Sequence, residues 1–162
     1  MKNMMNYSIR KIRHDEVGVL DTFLYEAIFI PEGFEPPHKD IIKEPELQVY
    51  VDEFGSKAGD ICFIAEAEGL IVGAVWVRVM EDYGHVDDET PSLAISLLKE
   101  YRGHGIGTEL MKRMIKELRT QGYKKASLSV QKSNYAVRLY KRVGFEVSRE
   151  NEEEYIMICH LQ

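Results

Sequence analysis

Apolar residues along this chain keep two different rhythms, and the switch between them organises everything else. Residues 7–12 alternate around Ile9 and predict a short strand. Leu20, Phe23, Leu24, Ala27 and Ile28 then recur at three- and four-residue spacing, which predicts an amphipathic helix over 14–29 opened by His14, Asp15 and Glu16. PEGFEPP at 31–37 is a loop by its prolines and glycine, and a helix is predicted over 46–54, stopped by Gly55. Two β-rich runs, 61–67 and 70–80, are separated by Glu68 and Gly69, a hairpin turn. An acidic connection (EDYGHVDDETP) leads to another predicted strand over 93–98.

Beyond that point strands and helices alternate. Residues 105–121 form a helix with Ile106, Leu110, Met111, Met114, Ile115 and Leu118 on one face, with Lys116 and Arg119 in its last turn and Gly122 ending it. Residues 125–130 read as a strand, Asn134 as the cap of a short helix that Gly144 ends, and 145–148 and 155–160 as a closing hairpin around 149–153. The order predicts a mixed α/β sheet in one domain over 1–162, with no repeat and no linker.

Composition narrows the partners. The chain has 162 residues, 44% hydrophobic and 30% charged, which suits an ordinary globular domain with a proper core. Its net charge of −6 and pI near 5.4 disfavour broad attraction to nucleic acid or to an anionic membrane, while leaving room for a local basic pocket. Cys62 and Cys159 sit in apolar runs far apart and read as buried reduced thiols, so a cytoplasmic setting is expected. The N-terminal stretch lacks the apolar core of a secretory signal, and the longest apolar run, residues 70–77, is too short to span a bilayer.

The chemistry concentrates in LLKEYRGHGIGTELM, residues 97–111. A strand runs into Arg102, Gly103, His104, Gly105, Ile106 and Gly107, and a helix starts at once. Three glycines in five residues leave the first helical N–H groups bare at the positive end of the helix dipole, an anion site. The dinucleotide fingerprint fails because its last glycine would fall on Leu110, and a P-loop fails because Thr108 and Glu109 follow Gly107. Taken alone, the glycines also fit a helix start that merely packs tightly.

Arg102-x-x-Gly105-x-Gly107 resembles the R/Q-x-x-G-x-G/A signature of the GNAT N-acetyltransferase superfamily. A second block, NYAVRLYKRVGF over 134–145, is similar to that family's N-x-A-x-x-L-Y-x-x-x-G-F, with Tyr135 where proline is frequent. The resemblance implies a mostly antiparallel mixed sheet with a central parallel strand pair splayed to bind acyl-CoA, flanked by about four helices. It implies that the amides of Arg102, Gly103, His104, Gly105, Ile106, Gly107 and Thr108 bind a pyrophosphate. The backbone of Ile95, Ser96, Leu97 and Leu98 would hydrogen-bond the pantetheine amides. Asn134 would contact the same arm, and Tyr140 would sit near the thioester sulfur. Lys132, Arg138 and Lys141 would serve the adenosine phosphates, or else are solvated surface charges. Homodimers are common in the family, and no residue here specifies one.

Acetyl transfer from acetyl-CoA needs a neutral amine, a polarised thioester and a proton for the departing thiolate. A tyrosine near pKa 10 can supply a thiol near 8.5 at a cost of about 2 kcal/mol, so Tyr140 is the candidate general acid; its other reading is a core aromatic. A lysine-like acceptor costs about 4.6 kcal/mol to neutralise at pH 7 and an α-amine about 1 kcal/mol, so a base helps more with the former. Asp87, Asp88 and Glu89 precede the strand that enters the turn, with Tyr83 and His85 nearby; Glu89 is the first choice of base, against a solvated acidic turn. The acceptor pocket implied by the family falls on Tyr25, Glu26, Phe29, residues 31–37 with Phe34 as part of a stiff lid, and residues 149–155. Trp76 reads as core. The five histidines show no metal-ligand spacing, no metal is expected, and no hydrolase signature is present. Two functions follow: an N-acetyltransferase acting on an amine, a small molecule by analogy, or a non-catalytic module that senses acyl-CoA.

Overall fold

A computed structural model describes residues 6–80 and 85–162. Seven strands among them form one sheet in the order β1-β2-β3-β4-β5-β7-β6. They are β1 (Ser8–Lys11), β2 (Ile61–Ala67), β3 (Leu70–Arg78), β4 (Ser92–Leu97), β5 (Lys125–Gln131), β6 (Phe145–Glu150) and β7 (Glu154–His160). Every neighbouring pair is antiparallel except β4 and β5, which run parallel. The helices are α1 (Leu20–Glu26), α2 (Pro45–Gln48), α3 (Ile106–Thr120) and α4 (Ala136–Arg142).

Strand alternation sends the sheet's side chains into two cores. Phe63, Ala65, Val75 and Val77 meet the apolar stripe of α3, the six residues expected from its periodicity, all buried. Cys62, Ile64, Ala74 and Trp76 turn the other way, onto Leu20, Phe23 and Leu24 of α1. Trp76 is fully buried and its Nε1 donates to the Tyr50 carbonyl (3.2 Å), so it is core. The β2–β3 turn falls on Glu68 and Gly69, both at positive φ (+52° and +79°), as a tight hairpin requires.

Two predicted helices are shorter than their apolar spacing suggests. Residues 14–19 are a 3-10 segment and only Leu20–Glu26 is α-helical, since Val17, Gly18 and Val19 are poor helix formers. The segment is instead pinned by side chains: Arg10 makes a two-bond fork to Glu16 (2.8 Å each) and reaches Glu66 (2.8 Å). That pairing, with the Arg13 amide, holds the Glu16 carboxyl down at about 2. Over 46–54, α2 stops at Gln48 and turns follow. The carbonyls of Val49 and Asp52 there go to the Arg78 guanidinium (3.1 and 2.7 Å), a long-range donor that local spacing does not reveal.

Candidate active site

The parallel pair opens almost as soon as it forms. β4 is bonded to β3 along its whole length and β5 to β7 along its own, yet β4 and β5 share one register pair, Ser92 with Ser127. The Ser127 N–H donates to the Pro91 carbonyl (3.0 Å) at that point, and beyond it the strands part. Two connected spaces fill the gap. An inner chamber of ≈330 Å³ lies among Leu24, Ile28, Leu93, Ser129, Gln131 and Glu154. A wider outer cleft of ≈1210 Å³ runs past Arg102, Gly107, Tyr135 and Phe34. Ile95, Asn134 and Tyr140 line both, so they mark the junction.

The glycine turn forms the mouth of the outer cleft. Gly103 and Gly105 take φ of +79° and +85°, where a side chain would cost about 1–2 kcal/mol. The first carbonyl that α3 uses is that of Gly105, which accepts from Glu109 N–H (3.2 Å). The amides of Gly103, His104, Gly105, Ile106, Gly107 and Thr108 make no hydrogen bond to any described residue. Six unused donors at the positive end of a 15-residue helix are suited to a diphosphate. A Cβ on Gly107 would meet Leu139 and Leu97 at only 3.5 and 3.7 Å, so this glycine keeps the cleft wide and does not relieve a clash. Arg102 folds back instead of reaching outward: its Nε donates to the Leu97 carbonyl (3.0 Å) and its Nη2 to Glu26 Oε2 (3.1 Å). The Arg102 amide is also in use, donating to Lys99 O (3.2 Å). His104 is exposed.

On β4 the ladder sorts the expected backbone contacts. Leu98 N–H donates to Val72 O (2.9 Å). By the two-residue alternation of an antiparallel pair, Ser96 and Leu98 face β3, leaving the main chain of Ile95 and Leu97 turned toward the gap. The Ser96 hydroxyl is committed as well, donating to Phe23 O (2.6 Å) and fastening α1 to the strand. The Leu97 side chain takes up the space that a side chain on Gly73 would occupy: a Cβ there would collide with Leu97 Cδ2 and press on Leu110 Cδ1. Sequence reading passed over Gly73, since its requirement comes from a residue 24 positions away.

Asn134 caps α4 through Oδ1, which accepts from the Ala136 amide (2.9 Å), and its NH₂ remains for the junction. Arg138 and Lys141 are exposed on α4 and line neither space, while Lys132 is engaged with Glu150 (2.7 Å). Tyr140 is 8% exposed and packs against Phe145 with ring centroids 6.1 Å apart. Burial pushes its hydroxyl pKa up to about 12. Among the described residues that hydroxyl has no protein partner, and no fully enclosed polar side-chain atom goes unbonded, so it opens into the cavity.

The acidic turn is elsewhere. Asp87 accepts from Thr90 Oγ1 (2.8 Å) and the Glu89 amide (2.9 Å) and pairs with Lys125 (3.3 Å), which together hold its carboxyl below the usual range. Glu89 is exposed beside it and is not among the residues lining either space; its neighbours build a strand-entry turn. Tyr83 lies outside the described residues. Tyr25, Glu26, Phe29, Pro31, Phe34 and Pro36 do line the outer cleft, and the Tyr25 hydroxyl donates to Pro37 O (2.5 Å), tying the proline loop to α1. The carboxylate that does reach the inner chamber is Glu154, at the start of β7 opposite Gln131. It falls within residues 149–155, the part of the closing hairpin that the family resemblance assigns to the acceptor pocket, though nothing in the sequence singled it out there.

Comparison with known proteins bears on this geometry. The sequence pattern of the Acetyltransferase (GNAT) family matches residues 25–145, three quarters of the chain. A probable N-acetyltransferase named camello from Xenopus tropicalis is 37% identical over 92 residues, 54% of this chain and 40% of its own length. An N-alpha-acetyltransferase from Sulfurisphaera tokodaii is 29% identical over 115 residues, 61% of this chain and 68% of its own. The chain thus spans less than half of the first of these relatives. A PaiA N-acetyltransferase from Thermoplasma acidophilum, solved with coenzyme A, superposes with a TM-score of 0.71 at 19% identity, covering 96% of this chain and 99% of that one. A putative acetyltransferase from Salmonella typhimurium, solved with acetyl-CoA, gives 0.68 at 17% identity over 97% and 95%.

Proposed function

The chain belongs to the acetyltransferase (GNAT) family, and from that premise we propose that it moves an acetyl group from acetyl-CoA to an amine, most simply a small molecule, in the cytoplasm. The observation that carries the reading is the row of unused amides from Gly103 to Thr108 at the mouth of a cleft that ends on Tyr140. Those N–H groups and the α3 dipole bind the diphosphate, as in a helix N-terminus that meets any phosphate. The turned-out main chain of Ile95 and Leu97 receives the amide-bearing arm like an added strand. The Asn134 NH₂ steadies the same arm at the junction.

The reaction itself is direct attack. A neutral amine adds to the thioester carbonyl, the C–S bond breaks, and the thiolate takes a proton from the Tyr140 hydroxyl. The Tyr140 oxygen regains that proton from the amide nitrogen being formed, so the residue ends as it began. With its pKa near 12, Tyr140 stays protonated through the neutral range. Set against a free thiol near 8.5, the transfer would be uphill by about 5 kcal/mol. The thiolate leaves into the same desolvated space, however, and burial raises thiols too: both cysteines of this chain are shifted upward by it. The mismatch therefore narrows where it matters.

Replacing Tyr140 with Phe removes the proton and keeps the ring. Its kcat should fall by about 10²–10⁴-fold with CoA affinity unchanged, measured by thiol release from acetyl-CoA with an amine panel and by calorimetry. An unchanged kcat removes Tyr140 from the mechanism. Tight CoA binding with no turnover on any amine favours the non-catalytic sensor.

A further inference from the structure

The inner chamber has a one-sided charge. Among the described residues that line it, Glu154 is the only one carrying a full charge at neutral pH, and no described Lys, Arg or His joins it. Much of the remaining wall is apolar, with Leu24, Ile28, Phe29 and Leu93. Glu154 is half-buried, and among the described residues its carboxylate has no ion-pair or hydrogen-bond partner. The natural counter-ion would be Lys132, just after β5, but its ammonium is 2.7 Å from Glu150 and 5.3 Å from the Tyr155 ring centroid. The β5–β7 register sets Glu154 opposite Gln131, on the face that also carries Ser129, and all three line the chamber. A carboxylate, an amide and a hydroxyl make a strip rich in acceptors at one end of an apolar space.

Such a strip stabilises a cation and repels an anion, more strongly than in bulk water because much of the wall is apolar and Glu154 is itself half-buried. We propose that Glu154 is the specificity residue for the acyl acceptor, admitting a primary amine on a compact apolar body and rejecting amines that carry a carboxylate beside the amino group. A free α-carboxylate would enter next to Glu154 with no cation among the described residues of the chamber to meet it. Amino acids are therefore excluded. The volume of ≈330 Å³ lies at the lower end of the range of about 300–1,000 Å³ in which small-molecule sites fall, which selects small amines over bulky ones. The inference rests on the acetyl-transfer reading and gives Glu154 no covalent step. The acceptor docks as ammonium, its proton departs to solvent, and the neutral amine then attacks as described.

Two matched pairs test it: phenethylamine against phenylalanine, and isoamylamine against leucine. Each is measured for kcat and KM with acetyl-CoA, and for binding to the CoA-saturated protein by calorimetry. The wild-type protein should prefer the amine of each pair by about 100-fold or more, a difference of about 2.7 kcal/mol. Glu154→Gln should raise KM for the amines about 10-fold with a smaller change in kcat, and narrow the gap. Glu154→Lys should move the preference toward the amino acids. Melting temperature and CoA affinity check that each variant is folded; should the Glu154 variants fail, Gln131→Lys places a cation in the same strip with the same expected shift. Equal handling of amine and amino acid by the wild type overturns the proposal, as does an unchanged KM in folded Glu154→Gln. Because binding is read separately, absence of turnover counts against acetyl transfer alone, while absence of amine preference counts against Glu154.

Discussion

The β2–β3 pair and the β4–β5 pair belong to one sheet and are built on opposite terms. From Ile61 opposite Val77 to Ala67 opposite Leu70, β2 and β3 stay in register apart from one bulge, with helices covering both faces. Polar groups there are used up within the protein. Arg78 is 2% exposed, yet its guanidinium forks onto Asp60 (2.9 and 2.8 Å), takes two carbonyls and lies 5.3 Å from the Phe54 ring centroid. Between β4 and β5 there is one register pair, a cleft, six idle amides, and an arginine at the mouth held only by Glu26 and two carbonyls. Buried polar groups are nearly always satisfied, and the closed half obeys that rule. The open half instead leaves helix N-terminal amides, half of them on exposed residues, at the edge of a cleft where an anion can reach them. The same sheet thus holds a closed half that sets stability and an open half that sets binding.

The contrast breaks most readily at Arg78. Arg78→Met leaves the Asp60 carboxylate enclosed without its cation, and removing one partner of a buried pair costs about 3–5 kcal/mol. Thermal or denaturant unfolding should show that loss, while the fraction still folded binds CoA normally. Burial alone would raise the Asp60 pKa, but the Arg78 hydrogen bonds and the amides of Lys57 and Gly55 outweigh it and hold the carboxyl below its ordinary value. A depressed carboxylate binds fewer protons folded than unfolded, so its stabilisation is present above the ordinary carboxylate range and fades as pH falls through the native value. The wild type should lose that contribution on acidification, and Arg78→Met should lack it from the start.

Gly107→Val is the mirror experiment. Its first carbon meets only ordinary contacts and its backbone needs no glycine, so stability should stay within about 0.5 kcal/mol. The branches project into the outer cleft, and CoA affinity should drop at least tenfold, about 1.4 kcal/mol. Equal affinity would mean that the cleft is not the binding path. Glu26→Gln is the mildest change. An exposed ion pair contributes about 0–1 kcal/mol, so the melting temperature should barely move. Freed from its partner, Arg102 should bind the diphosphate slightly better, by a margin that salt erases.

What the chain revealed before folding follows the same division. The β2 and β3 runs, the Glu68–Gly69 turn and the α3 stripe are local patterns, and each formed where the spacing put it. The short α2 and the 3-10 entry to α1 did not, because Arg78 and Arg10 compete for those segments from other strands. The glycine turn was visible because an N-terminus stripped of partners is itself a local property. Glu89 and Glu154 show the limit. Both are acidic residues at a strand entry, and only the register of β7 on β5 and the turn built around Asp87 decide which one faces the chamber. Gly73 is the same lesson in packing, its need written in Leu97.

Calorimetric titration of the protein with CoA tests the central claim most directly. Saturable one-to-one binding that weakens with salt, survives Arg78→Met and weakens at least tenfold in Gly107→Val is the expected result. A protein that ignores CoA, or binds it as well with Gly107→Val as without, would contradict the assignment of the bare amides and the cleft behind them.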